Sequence, residues 1–226
     1  MELKQLRFQS SGCLRLQTAT DKSGESIDVG NLPLLSWQLN GRFYNTGSTI
    51  ARKQSDSLVI TQSGLEISYR ELPCETGLKA RIVFRNVSAF DTLHLENVVP
   101  LGADSNHVYI TGKGDNGLSR SHLFRPGYSA VNVILPDNAW ELGFAAVQLN
   151  NNEGLCSLMR RTAWDKTNAK RRRFETILMP GGTVTYTMWS DLYNGDWHGA
   201  LELMFRDRML YDIEGKFNNS LFERPD

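Results

Sequence analysis

Gly112-Lys113-Gly114-Asp115-Asn116-Gly117 has the G-x-G-x-x-G spacing with which backbone amides cradle a pyrophosphate. That chemistry needs a helix opening at the last glycine, inside a βαβ unit. Residues 118–125 are too few before Pro126, and no βαβ pattern surrounds them. The stretch reads as a loop between sheets, with no nucleotide cofactor. His107 and His122 flank it, and a shared polar site competes there with two solvated loop histidines. His94 lies between Leu93 and Leu95 and reads as structural, and His198 falls on the one helical segment. No H-E-x-x-H or other ligand spacing is present, so no metal site is expected.

Nucleophile signatures are absent: there is no G-x-S-x-G, P-loop or C-x-x-C. Glu141, Asp165, Glu175 and Asp191 are carboxylates whose pairing, if any, is made only by the fold. Lys166, Lys170, Arg171, Arg172 and Arg173 form the single basic cluster, beside Trp164. Arginine forks pair well with anions, so a phosphate or acidic sugar fits them. A charged strand edge that resists aggregation fits better. With a strand over 172–178, Arg172 would face away from Arg171, Arg173 and Glu175. Tryptophan rings stack on the apolar faces of pyranoses. Trp37 and Trp189 fall in predicted strands and read as core, whereas Trp140 and Trp164 lie near loops and are the candidate sugar platforms.

The elements that must position these groups are strands. Leu-Lys-Ala-Arg-Ile-Val-Phe-Arg-Asn-Val over 78–87 follows period two. Further strands are predicted at 3–8, 13–17, 34–39, 58–61, 65–69, 93–99, 108–111, 130–135, 142–149, 155–160, 172–178 and 184–192. Asn40-Gly41 is a type I′ hairpin signal, and 62–64 and 151–154 also read as hairpin loops. A dozen strands without helices between them predict a large antiparallel sandwich. From Gly195 the pattern turns helical through Trp197, Ala200, Leu201, Met204 and Phe205. Asn194 or Asp196 is placed to cap this helix, which is expected to end near Asp212. Residues 1–193 are therefore expected as a sandwich domain, and 194–226 as a linker helix and tail toward a further domain.

The 226 residues are 40% hydrophobic, enough for a sizeable core. Lys+Arg and Asp+Glu both number 25, and this balance argues against a nucleic-acid partner. No apolar run approaches a membrane span, and Met1-Glu2-Leu3-Lys4 does not open a signal peptide. The compartment stays open, with a periplasmic or secreted natural protein compatible. Cys13, Cys74 and Cys156 are odd in number and widely spaced, so free, mostly buried thiols are expected. Asn86-Val87-Ser88 and Asn218-Asn219-Ser220 fit the glycosylation sequon.

Ile177-Leu178-Met179-Pro180-Gly181-Gly182-Thr183-Val184-Thr185-Tyr186 resembles the L-x-P-G-x-x-x-x-Y turn and last strand of galactose-mutarotase-like super-sandwich domains. Tyr193-Asn194-Gly195-Asp196-Trp197-His198-Gly199-Ala200-Leu201 is similar to the start of the linker helix that follows such domains in multidomain glycoside hydrolases. The resemblance implies an all-β super-sandwich with a C-terminal linker helix. It further implies a non-catalytic N-terminal accessory domain that packs on a downstream catalytic domain of the same chain and contacts carbohydrate. The loop 104–128, with His107, His122 and Arg125, is the part expected to reach a partner or a sugar. A stand-alone mutarotase or epimerase is the alternative, in which His107 or His122 would converge with an acid such as Glu175. A binding module using Trp140 and Trp164 is the third reading.

Overall fold

A computed structural model of the chain describes residues 2–9, 12–101, 107–109, 132–135, 142–150, 152–172 and 175–207. It is an all-β sandwich with one C-terminal helix. β1 (Leu3–Phe8), β2 (Arg15–Asp21) and β3 (Ser26–Pro33) form a three-stranded sheet. A five-stranded sheet runs in the order β15 (Ala169–Arg171), β16 (Thr176–Leu178), β10 (Leu93–Pro100), β4 (Leu35–Leu39) and β5 (Arg42–Asn45). The third sheet has nine strands. Its first half is β11 (His107–Tyr109), β12 (Asn132–Leu135), β13 (Leu142–Gln148) and β14 (Glu153–Trp164). It continues through β17 (Thr183–Asn194), β9 (Leu78–Asn86), β8 (Leu65–Leu72), β7 (Ser57–Gln62) and β6 (Ala51–Gln54). Neighbours are antiparallel except for the parallel pair β11 and β12.

Alternation builds the core. In β9, Leu78, Ala80, Ile82, Phe84 and Asn86 are buried, while Lys79, Arg81 and Arg85 are not. Aromatic rings tie the five- and nine-stranded sheets together. Trp37 of β4 meets Phe84 of β9 edge-on at 6.3 Å, and Phe84 meets Tyr186 of β17 edge-on at 5.4 Å. All three side chains are fully buried. In β17 alternation gives way to continuous burial from Met188 to Tyr193. The physical reason is cover on the second face: α1 (Trp197–Asp207) packs against β13, β14 and β17, and the Leu3 amide of β1 donates to Asp191 Oδ1 at 2.7 Å.

Turn chemistry follows the residue types. Asn40 and Gly41 have φ of 50° and 76°, the two positive values a type I′ turn requires. Pro180 and Gly181 make a type II turn in which Gly181 has φ 78° and the Gly182 amide donates to Met179 O at 2.8 Å. Asp196 caps α1, its Oδ1 accepting from the His198 amide at 3.0 Å. Gln148 Nε2 then ties the approach to the helix onto the β13–β14 hairpin by donating to Gly195 O at 2.7 Å. Asp196→Ala is expected to cost about 1 kcal/mol, read as a lower urea midpoint with an unchanged slope.

Two expectations need correction. Of the strand predicted over 172–178 only Thr176–Leu178 forms a strand, β16; β15 precedes it at Ala169–Arg171. β15 and β16 pair antiparallel and the Arg172 amide donates to Glu175 O at 2.8 Å, so Arg172 and Glu175 are brought together rather than set on opposite faces. Of the three thiols only Cys156 is buried, while Cys13 is half-buried and Cys74 exposed. Asn86, the first sequon asparagine, is fully buried, and its side-chain amide donates to Leu178 O and Asp91 O. The second sequon, at Asn218, lies outside the described residues.

Candidate functional site

The outward face of the five-stranded sheet carries polar side chains in two register rows, the first interrupted by the buried Ile177. Lys170 of β15 pairs in register with Ile177 of β16, and Ile177 with His94 of β10. The next row, two residues on, sets Glu96 opposite Gln38 of β4, and Gln38 opposite Phe43 of β5. Residues directly opposite share a face, as do residues two apart on one strand. His94, Glu96, Gln38 and Phe43 therefore lie on one surface.

Fixed geometry holds this surface. The His94 amide donates to Asn40 Oδ1 at 2.8 Å, and the Asn40 amide donates to His94 O at 2.9 Å. His94 Nδ1 lies 2.8 Å from Glu175 Oε2, while Arg172 Nη1 donates to Glu175 Oε1 at 3.0 Å. Both carboxylate oxygens are thus engaged. Asn97, at a bulge in β10 with φ 50°, donates from Nδ2 to Gln38 Oε1 at 2.7 Å. The Phe43 ring is 50% exposed beside this pair.

Electrostatics favour an ionised Glu175. The hydrogen bond from His94 holds its carboxyl below the ordinary value of 4.5 against the opposing effect of burial, and the charges of His94 and Arg172 add to the lowering. A carboxylate held below its unfolded value stabilises the fold above that value. The contribution is fully present above about pH 4.5 and is lost as the pH falls through the folded value. His94→Ala is expected to raise the Glu175 titration midpoint, measured by carbon NMR of the side-chain carboxyl. An unchanged midpoint would remove His94 as the cause.

Chemically, His94 and Glu175 form an imidazole–carboxylate pair on a half-exposed surface. With the proton on Nδ1, His94 donates to Glu175 and keeps the lone pair on Nε2 as an acceptor. Such a nitrogen accepts a hydrogen bond from a hydroxyl group or takes its proton. Among the described residues no three His, Cys, Asp or Glu side chains converge to hold a metal ion.

Trp164 ends β14, half-buried against the core, with the Arg171 guanidinium 4.7 Å from its ring centroid. His107 opens β11 opposite Asn132 of β12; its side chain lies outside the described residues, as do Trp140, His122 and Arg125. The His94–Glu175 pair was not anticipated. Its signal is the alternation Leu93-His94-Leu95-Glu96, in which the leucines point inward and His94 must point out.

No family model matches the sequence, and no curated protein matches it. Solved structures do. A polysaccharide lyase matches with a TM-score of 0.47 and 12% identity, covering 86% of this chain and 33% of that one. A protein described as a kojibiose phosphorylase from human microbiome matches with a TM-score of 0.23 and 15% identity, covering 95% of this chain and 28% of that one. The chain therefore spans about a third or less of the length of these structural neighbours, both of which are named as carbohydrate-active enzymes.

Proposed function

We propose that this chain is a carbohydrate-contacting accessory domain of a larger carbohydrate-active enzyme, and that the contact is the outward face of its five-stranded sheet. The observation that carries the reading is the fixed polar surface of His94–Glu175–Arg172 and Gln38–Asn97 beside the exposed Phe43 ring. Sugars present hydroxyl groups around apolar ring faces. A protein surface that binds them combines pre-oriented planar hydrogen-bonding groups with an aromatic platform. Here the polar groups are held by their neighbours before any ligand arrives, which lowers the ordering cost of binding. The resemblance of residues 177–186 and 193–201 to super-sandwich and linker-helix motifs supports the accessory role.

A variant carrying both Phe43→Ala and His94→Ala is expected to weaken retention on its preferred neutral or acidic glycan by at least about tenfold in affinity electrophoresis. Both side chains are about half-exposed, so the fold should survive the change. Equal retention of every glycan by wild type and double variant would refute the reading.

One observation favours a second reading, a mutarotase- or epimerase-like enzyme. Glu175 is paired through Nδ1 with a half-exposed histidine. On this reading His94, rather than His107 or His122, supplies the base. Polarimetry of anomer interconversion distinguishes the two: turnover lost in His94→Ala supports the enzyme, and no turnover in wild type supports the accessory domain.

A further inference from the structure

Phe90 is 92% exposed, the most exposed large apolar side chain among the described residues. It lies in the connection from β9 to β10, where Val87 is exposed as well. The connection is fixed by its own polar groups. Ser88 Oγ accepts from the Phe90 and Asp91 amides at 3.4 and 3.0 Å and donates to Asp91 Oδ2 at 2.9 Å. The Ser88 amide donates to Asn86 Oδ1 at 2.9 Å, and Asn86 Nδ2 donates to Asp91 O at 2.7 Å. The Val87 amide donates to Gly64 O at 2.8 Å. Asn86 is fully buried and roots this frame in the core. The frame presents the ring to water instead of folding it onto the sandwich, where burial would stabilise it.

The groups around the ring decide what it fits. Asp91 and Thr92, which follow it, are both exposed. Asp91 Oδ2 is engaged by Ser88, while Oδ1 accepts no hydrogen bond from the described residues. One ring among polar groups is too little apolar surface for a stable protein interface, which takes about 800 Å² from each partner. It suits a sugar unit, whose apolar face stacks on the ring and whose hydroxyl groups donate to a carboxylate.

Position links this ring to the polar surface. Phe90 is four residues before His94 in the chain, so their Cα atoms lie within about 14 Å of each other. Phe43 stands on the far side of His94. It is two strands across from β10 and level with Glu96, which puts it about 14 Å from the start of β10. A single sugar ring does not span that separation, whereas a chain of several units does.

We propose that Phe90 and Asp91 form a second sugar subsite at the start of β10, and that the ligand is an extended oligosaccharide or polysaccharide rather than a mono- or disaccharide. The inference rests on the carbohydrate reading above and adds the length of the ligand. Phe43 and Phe90 hold sugar units at the two ends of the contact, with His94 between them along the sheet. Once one end is bound, the other binds at a high effective concentration, so affinity rises with chain length until both rings are covered.

The test begins with affinity electrophoresis of the full chain in gels containing xylan, galactomannan, pullulan or polygalacturonate. Isothermal titration calorimetry then compares the disaccharide and the hexasaccharide of the polysaccharide that retards it. The hexasaccharide is expected to bind at least about tenfold more tightly. In Phe90→Ala that ratio should fall to near one, and Phe90→Tyr, which keeps a ring, should restore it. The exposure of Phe90 means that these variants should fold, which an unchanged urea midpoint checks. Equal affinity of the two oligosaccharides for wild type, or a wild-type ratio in Phe90→Ala, overturns the proposal and leaves the carbohydrate reading to its own double variant. If none of these polysaccharides retards the chain, both fall.

Discussion

Asn86→Ala is expected to destabilise the sandwich by about 3–5 kcal/mol, measured by urea denaturation. Asn86 sits at the end of β9 in the buried phase of the strand and is fully inaccessible. Its side chain joins three segments. Nδ2 donates to Leu178 O at 2.8 Å and to Asp91 O at 2.7 Å, while Oδ1 accepts from the Ser88 amide at 2.9 Å. The backbone adds two bonds, with the Asn86 amide donating to Gly182 O at 2.9 Å and the Gly181 amide donating to Asn86 O at 3.0 Å. Alanine removes the three side-chain bonds and strands the Leu178 carbonyl, whose bond to Asn86 is buried. Asn86→Asp is the informative companion. It keeps an acceptor for Ser88 but loses both donors and buries a charge, so it should be no milder than alanine. A cost below about 1 kcal/mol for either variant would mean that these bonds do not hold the turn. The same burial predicts that Asn86 carries no glycan in the folded protein, which peptide mass spectrometry can check.

Gly182→Ala should lower the melting temperature by about 6–12 °C, the equivalent of about 3 kcal/mol in a chain of this size. A Cβ on Gly182 would lie 2.1 Å from Asn168 O and 2.9 Å from Met179 O, both backbone atoms. Asn168 O also accepts from the Met179 amide at 2.9 Å. Relief of the clash must therefore move the β14–β15 connection and break that bond. Gly181 provides the control. Its φ of 78° disfavours a side chain, yet no atom lies within 4 Å of the added carbon, so Gly181→Ala should cost about 1 kcal/mol. If the two substitutions proved equal, strain rather than close packing would govern the turn.

The strands legible in the sequence are those with one buried and one exposed face. β1 was placed at its observed limits, and β8, β9, β10 and β17 within a few residues. The strands missed were β3, β6 and β15, and each is the outermost strand of its sheet. Their segments, Ser-Ile-Asp-Val-Gly-Asn-Leu-Pro, Ala-Arg-Lys-Gln and Ala-Lys-Arg, show little apolar alternation. An edge strand is held by backbone hydrogen bonds to one neighbour, and its side chains need not encode two faces. Missing β15 also hid the pairing that brings Arg172 to Glu175, and with it half of the candidate site.

By itself the sequence determined that this chain is an all-β sandwich followed by a helix, because period-two burial, the Asn-Gly turn and the helical spacing after Gly195 are local properties. It also contained the fact that His94 points outward, through the alternation around it. Only the tertiary structure decided that His94 meets Glu175, 81 positions away, and that Phe43 lies level with Glu96. Both depend on which strands lie side by side and in what register. That pairing is settled by the summed burial of the whole core, which no short stretch of residues encodes.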